Sequence, residues 1–234
     1  MTGPFLFGGN TMIEIIEAVT ISPEQYEMVI QGMRNPHNSW DKSDSETDED
    51  GSFRLGNNDR QLMRRLSSLT SEHAKFRRMM PVWVTINAPL YWWKQFDTYK
   101  VGTVSNSCST MHTIEKKEFT VSDFSHEFLS DVPVWYEVCS SSTFSGKDGL
   151  EKFIIPALNG LRAKYLESKS ETYWQSIIQL LPNSYNQKRT LFLTYEVLSN
   201  IYKQRLHHRL PEWRAFCEWI KTLPLSELIT SEVN

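Results

Sequence analysis

The residues best suited to chemistry lie between Thr98 and His112, in the run TYKVGTVSNSCSTMH. Ser105, Ser107, Ser109 and Thr110 place four hydroxyls within six positions, with Cys108 among them. Together with backbone N–H groups such a loop can surround an anion such as phosphate. It follows an aromatic stretch, Leu90 to Phe96, on which Gln95 offers a carbonyl and an amide that can read a pyrimidine edge. Composition alone fits an ordinary Ser/Thr turn equally well. Cys108 is a possible nucleophile by type, but no His or Asp is placed by sequence to activate it, so a passive thiol is expected. His207 and His208 are adjacent and diverge on a helix, which argues against a shared metal.

Other signatures are absent. The chain has no GxGxxG, P-loop or GxSxG, and no CxxC or HxxxH spacing for zinc. The acidic run Asp41 to Asp50 (DKSDSETDED) fails as a calcium loop, because Asn57 falls where the bidentate Glu must sit. A solvated, mobile loop over about 41–52 is the expectation.

The remaining composition bounds the class. At 234 residues, 40% hydrophobic and 23% charged, the chain is long enough to bury a sizeable core, and a single domain over 1–234 is expected. Eight Trp, nine Tyr and twelve Phe load that core or a subunit interface with aromatic area. A net charge of -3 argues against non-specific nucleic-acid binding. No apolar run reaches membrane-span length and no signal-peptide pattern opens the chain. Cys108, Cys139 and Cys217 are odd in number and widely spaced, which favours a reducing, cytoplasmic setting.

Elements that must position these residues follow from periodicity. Asn10 to Val19 reads as a strand. Pro23 to Met33 reads as a helix capped by Ser22, and Asn58 to Phe76 as another. Val82 to Ile86 is a short buried strand before the aromatic helix, and the Ser/Thr/Asn content of Val101 to His112 favours loop. Leu150 to Tyr165, Tyr173 to Leu181, Arg189 to Arg205 and Pro211 to Thr222 are expected helices. Strands early and helices late give an α+β class, with an antiparallel or mixed central sheet and a helical C-terminal third.

Against this frame the chain resembles the flavin-dependent thymidylate synthase (ThyX) family along most of its length. Met33-Arg34 is similar to that family's "AR" element, and Ser71-Glu72-His73 with Phe76 to its EH pair. Ala88-Pro89 is similar to its strand end. Counting on from Pro89 without gaps puts Gln95 on the family's Gln, and Thr98-Tyr99-Lys100 on the RHR of its RHRxxSxNExSxRY signature. Leu181-Pro182 with Tyr185 resembles its "LP…Y" turn. Asn200 and Arg205 match its Asn-x4-Arg helix, and Glu212-Trp213 the Gln/Trp/Glu group after it. Between His73 and Ala88 the spacing is longer than is usual in the family.

The resemblance implies an enzyme of four like subunits with shared active sites. Reduced FAD, recharged by NADPH, would act on dUMP, with methylenetetrahydrofolate supplying the carbon and no protein nucleophile required. It implies a nucleotide held by Gln95, Ser105, Ser107, Cys108, Ser109, Thr110 and Arg205. The flavin would be flanked by His73, Thr98, Tyr99, Lys100 and Asn200. The chain departs from the pattern where charge matters: Thr98, Tyr99 and Lys100 replace Arg-His-Arg, Thr110 replaces the Arg of SxRY, and Ile178 replaces the Arg before "LP". Each lost charge-assisted bond is worth about 1.5–3 kcal/mol. Arg77, Arg78, Lys188, Arg189 and Lys203 are the cations near enough in sequence to compensate. Two other outcomes therefore stay open: a fold-retaining nucleotide-binding or interaction protein without catalysis, and one-carbon transfer to another pyrimidine deoxynucleotide.

Overall fold

The computed structural model describes residues 13–69, 72–137 and 142–231. Its principal elements, in chain order, are β1 (Glu14–Thr20), α1 (Pro23–Arg34), α2 (Asn57–Ser67), β2 (Pro81–Pro89), α3 (Leu90–Phe96) and β3 (Val104–Ser107). They continue with α4 (Ile155–Ser168), α5 (Glu171–Leu180), β4 (Asn186–Thr194), α6 (Tyr195–Arg205), α7 (Pro211–Lys221) and α8 (Glu227–Thr230). The four strands form one antiparallel sheet in the order β1-β2-β4-β3. The class is α+β, as the sequence predicts.

Alternation builds the sheet. Val82, Val84, Ile86 and Ala88 of β2 point inward and are buried, as are Leu191 and Leu193 of β4. On that face Trp92, Trp93, Trp213 and Trp219 are buried with Phe96 and Phe216, joining α3 and α7 to the sheet. A second apolar cluster, around Phe119, Phe124, Leu158 and Ile177, lies under α4 and α5. Helix α1 starts as expected, with a reciprocal capping box between Ser22 and Gln25.

Four expectations are corrected. The stretch beginning at Arg189 is not helical as far as Thr194: it is a strand, and α6 starts only at Tyr195. Leu191, Leu193 and Tyr195 bury with period two, while Leu198, Ile201 and Tyr202 continue with helical spacing, so one apolar series spans two elements. Val101 to His112 is not all loop, because β3 pairs with β4 from Val104 to Ser107 and a short helical turn covers Thr110–Thr113. The second helix ends at Ser67 rather than Phe76, and a 3-10 turn, Lys75–Met79, follows. Leu150 to Tyr165 opens with a π-helical turn, Gly149–Ile154, before α4. The strand near the start spans Glu14–Thr20; residues 10–12 of that expectation, Ser71 of the EH match and Cys139 lie outside the described residues.

The acidic segment is solvent-exposed and carries a two-residue ribbon, Glu46–Thr47 with Phe53–Arg54. Its base is pinned. The Asp59 carboxylate, fully buried, receives Arg34 Nε at 2.6 Å, the hydroxyls of Ser43 and Ser45 at 2.7 Å each, and the backbone N–H groups of Asp44 and Ser45. Arg34 donates further to the carbonyls of Ser39 and Lys42. Asp44 in turn caps α2 by accepting from the N–H groups of Asn58 and Asp59.

Candidate functional site

Four residues that lie up to 118 positions apart in the sequence meet at the C-terminal end of α3. That helix buries Trp92, Trp93 and Phe96, which leaves Gln95 half-buried on the side facing α6 and α7. Arg205, in the last turn of α6, donates from Nε to the Tyr99 hydroxyl at 2.8 Å and from Nη1 to Gln95 Oε1 at 3.3 Å. Trp213 Nε1 donates to the same Gln95 oxygen at 2.8 Å. The Tyr99 hydroxyl donates to Gln204 Oε1 at 2.9 Å. The guanidinium stacks 4.5 Å from the centre of the Trp213 ring and 5.5 Å from that of Tyr99. Two donors remain uncommitted among the described residues, the Gln95 amide and Arg205 Nη2. A planar amide and a planar guanidinium side by side suit a carbonyl-bearing ring or an oxyanion.

His208 closes one end of this group. Its Nδ1 accepts from the Leu210 N–H at 3.1 Å, and burial, then the Arg205 charge, hold its basicity below the usual imidazole value.

The hydroxyl-rich stretch follows α3 and runs along the β4 edge of the sheet. Ser105 and Ser107 sit on β3, an exposed edge strand, opposite Leu191 and Arg189. Cys108 continues the pairing, its N–H donating to the Lys188 carbonyl at 2.8 Å. Gln187 then holds the turn, donating from Nε2 to the Cys108 carbonyl at 3.0 Å and to the Thr110 hydroxyl at 3.2 Å. Arg189 fixes Gln187 at 2.9 Å, bonds Asp97 at 2.7 Å and stacks 4.5 Å from the Trp93 ring centre. Arg189 thus couples the hydroxyl turn to α3. Ser109 is half-buried, and its carbonyl accepts from the Thr113 hydroxyl.

Two cavities adjoin these groups. One of about 490 Å³ is lined by Cys108, Thr110, Lys116, Tyr185, Asn186 and Lys188 among others. The Asn186 side-chain oxygen is buried there without a hydrogen-bond partner. A smaller one, about 260 Å³, lies between Phe96, Asp97, Tyr99, Lys100, Thr103 and Ser105.

The other sequence-selected residues are placed more loosely. Thr98 is exposed and its hydroxyl bonds the Gln95 carbonyl at 2.8 Å, closing the end of α3. Lys100 is exposed at the rim of the small cavity. Asn200 is exposed on α6, one turn before Gln204 and so on the same face. His73 is exposed ahead of the 3-10 turn, and among the described residues no hydrogen bond or ring contact joins it to Gln95, Tyr99 or Arg205.

Of the possible compensating cations, Arg77 is buried and bonds Ser199 and the Leu228 carbonyl, and Arg78 pairs with Glu196. Burial, then Arg77, lowers the basicity of Lys203. Lys188 and Arg189 are the two that reach the site. Sequence reasoning missed Gln187 and the stacking role of Trp213. The first lies just ahead of the expected helix, in the part of the strand that no expected element covered, and a partner 118 residues away hides the second. Among the described residues no cluster of His, Cys, Asp or Glu could hold a metal ion, and no helix is long and apolar enough to cross a membrane.

Comparison with solved structures gives the fold its context. The chain superposes on thymidylate synthase X (ThyX) of Helicobacter pylori, crystallised with FAD and dUMP, with a TM-score of 0.63 over 95% of this chain and 98% of that one. The fold is ThyX-like. A second structure of the Helicobacter pylori enzyme with FAD and dUMP gives 0.60, covering 94% of this chain and all of that one. The UMP/dUMP methylase PolB of Streptomyces cacaoi, bound to 5-Br dUMP, gives 0.55, covering 94% of each chain. Sequence identities are 14%, 16% and 14%, so the likeness speaks for the architecture. No protein-family model and no curated protein sequence matches the chain.

Proposed function

We propose that this protein binds a pyrimidine deoxynucleotide, dUMP or a close relative, and acts as a flavin-dependent thymidylate synthase-like methyltransferase. The observation that carries the reading is the convergence of Gln95, Arg205 and Trp213, two of them chosen from sequence, on a ThyX-like fold. In this reading the Gln95 amide and Arg205 Nη2 hold the carbonyl edge of the base, while Trp213 and Tyr99 fix the guanidinium in plane. The hydroxyl turn Ser105 to Thr110 holds the phosphate end. Lys116 lines the adjoining cavity and supplies the positive charge that Thr110 lacks.

The two Helicobacter pylori structures hold FAD, and the residues here fit one wall of a flavin site. Tyr99, Lys100 and Asn200 offer a ring, a cation and an amide along an exposed face of α6 and the 260 Å³ cavity. That cavity is smaller than the about 300–1,000 Å³ usual for an organic ligand. The rest of the wall comes from another subunit, in keeping with the expected homotetramer of single-domain subunits in the cytoplasm. When bound and reduced, FAD supplies a hydride, with NADPH and methylenetetrahydrofolate as co-substrates. The protein's own contribution is position and charge, with no nucleophile: Cys108 is exposed, and among the described residues no general base is hydrogen-bonded to it.

A second reading, nucleotide binding without methylation, is favoured by one observation. The Thr98 hydroxyl, at an arginine position of the signature, is spent on the Gln95 carbonyl. The near-ultraviolet to blue spectrum of the purified protein separates the two. Flavin absorbance with tritium release from 5-labelled dUMP supports the enzyme. A colourless protein that still titrates with dUMP supports the binder, and one that takes up neither contradicts both.

A further inference from the structure

The acidic segment concentrates the charge of the chain. Residues 41–50 hold six acids and one lysine, a net charge of -5 in a chain of -3, so the remaining residues together carry +2. Like charges packed this densely repel one another. Little inside the molecule answers them. Among the described residues Glu46 is the one acid of the run with an ion pair, to Arg54. Asp44 caps α2, and Asp48 and Asp50 accept from Ser52. Asp41 and Glu49 make no hydrogen bond or ion pair among the described residues.

Acids on a loop are ordinary, but the pocket they adjoin is not. It has a volume of about 210 Å³ and is lined by Glu27, Ile30, Gln31, Arg34, Trp40 and Phe53, with Ser43 and Ser45. Both of its aromatic rings are held in place. Phe53 stacks on Tyr26 with ring centres 4.9 Å apart and planes 4° from parallel, and Trp40 Nε1 donates to Asn35 Oδ1 at 2.8 Å. Trp40 is still 49% exposed, a large indole that its own fold leaves uncovered. The Arg34 charge is already met by Asp59 and by the carbonyls of Ser39 and Lys42. Glu27 accepts from the Thr47 hydroxyl and makes no ion pair among the described residues, so it is the lining charge without a counter-charge.

We infer that this pocket receives one Lys or Arg side chain from a basic segment of a partner protein, whose neighbouring cations meet the acids of 41–50. Size, chemistry and charge agree on that occupant. The volume falls below the about 300–1,000 Å³ usual for a whole organic ligand and suits a single side chain. A cation over an aromatic face, with a carboxylate close by, gains cation–π and Coulomb attraction together. The surplus of acids along the segment favours a partner with several cations and repels an acidic one. The pocket shares no lining residue with the cavities beside Cys108 and Tyr99, so the inference stands apart from nucleotide binding.

Fluorescence anisotropy on the full chain tests it, with a short labelled peptide of alternating Lys and Gly as the probe. The unaltered protein is expected to bind this peptide, more weakly as salt rises, and to ignore the same peptide with Gln in place of Lys. Trp40→Ala should weaken binding at least about tenfold with an unchanged far-ultraviolet circular dichroism spectrum. Glu27→Gln repeats the test of the pocket should the tryptophan variant fail to fold. Asp41→Asn with Glu49→Gln should weaken binding by roughly two- to fivefold, as exposed charges do. No binding of the lysine peptide, or binding that Trp40→Ala and Glu27→Gln both leave untouched, overturns the inference. Spermine binding as tightly as the peptide would also overturn it, by making the segment a site for small polycations.

Discussion

Two arginines in this molecule meet opposite fates. Arg34 is buried, and the Asp59 carboxylate bonded to it is fully buried and accepts five hydrogen bonds. Arg205 is half-buried, stacked on Trp213 and tied to Gln95 and Tyr99, yet it keeps one nitrogen uncommitted beside an uncommitted amide. The first arrangement is closed and serves the fold, since it fixes the base of the acidic segment and the start of α2. The second is preorganised but open, which is what a ligand site requires. A buried charge with every bond made is structure, whereas a fixed charge with a bond to spare can recognise something.

Substitutions should separate the two. Asp59→Ala leaves Arg34 buried without its counter-charge and should destabilise the fold by about 3–5 kcal/mol, read as a lower urea midpoint. The same carboxylate gives a signed pH effect. Burial raises its pKa, but hydrogen bonds from Ser45, Ser43 and Arg34 outweigh that and hold it below the ordinary value. Its contribution is thus complete above about pH 4 and is lost as pH falls below that. Asp59→Asn should flatten this acid limb of the stability profile.

Arg205→Ala should reverse the ranking. It should cost about 1.5–3 kcal/mol of dUMP binding by calorimetry, while changing stability by no more than about 1 kcal/mol. Tyr99→Phe removes the oxygen that orients the guanidinium and should weaken dUMP by about 1 kcal/mol. Cys108→Ser should alter neither affinity nor turnover. A large loss there would make the exposed thiol part of the chemistry.

The two regions also differ in how far they could be read from sequence. The closed one left local marks, such as Ser22, legible as the cap that starts α1. Its centre, Asp59, was hidden among ordinary helix residues, because nothing in a sequence shows that an acid faces an arginine 25 positions earlier. In the open region Gln95 and Arg205 were legible through their positions in ordered motifs. Trp213 was legible as a residue but not as the floor under Arg205. Arg189 was legible as a cation but not as a strand residue, and Gln187 was missed, because the period-two apolar series of the strand Asn186–Thr194 runs without a break into helix α6. A change of period inside one apolar series has no punctuation when Thr194 serves as both strand end and helix cap.

The account rests on the open arginine cluster being a pyrimidine nucleotide site. Calorimetric titration of the protein with dUMP, alone and with FAD present, against the Arg205→Ala variant tests this most directly. Saturable binding that the substitution weakens by roughly ten- to a hundredfold is the predicted result. Absence of binding under both conditions, or binding that Arg205→Ala leaves untouched, contradicts it.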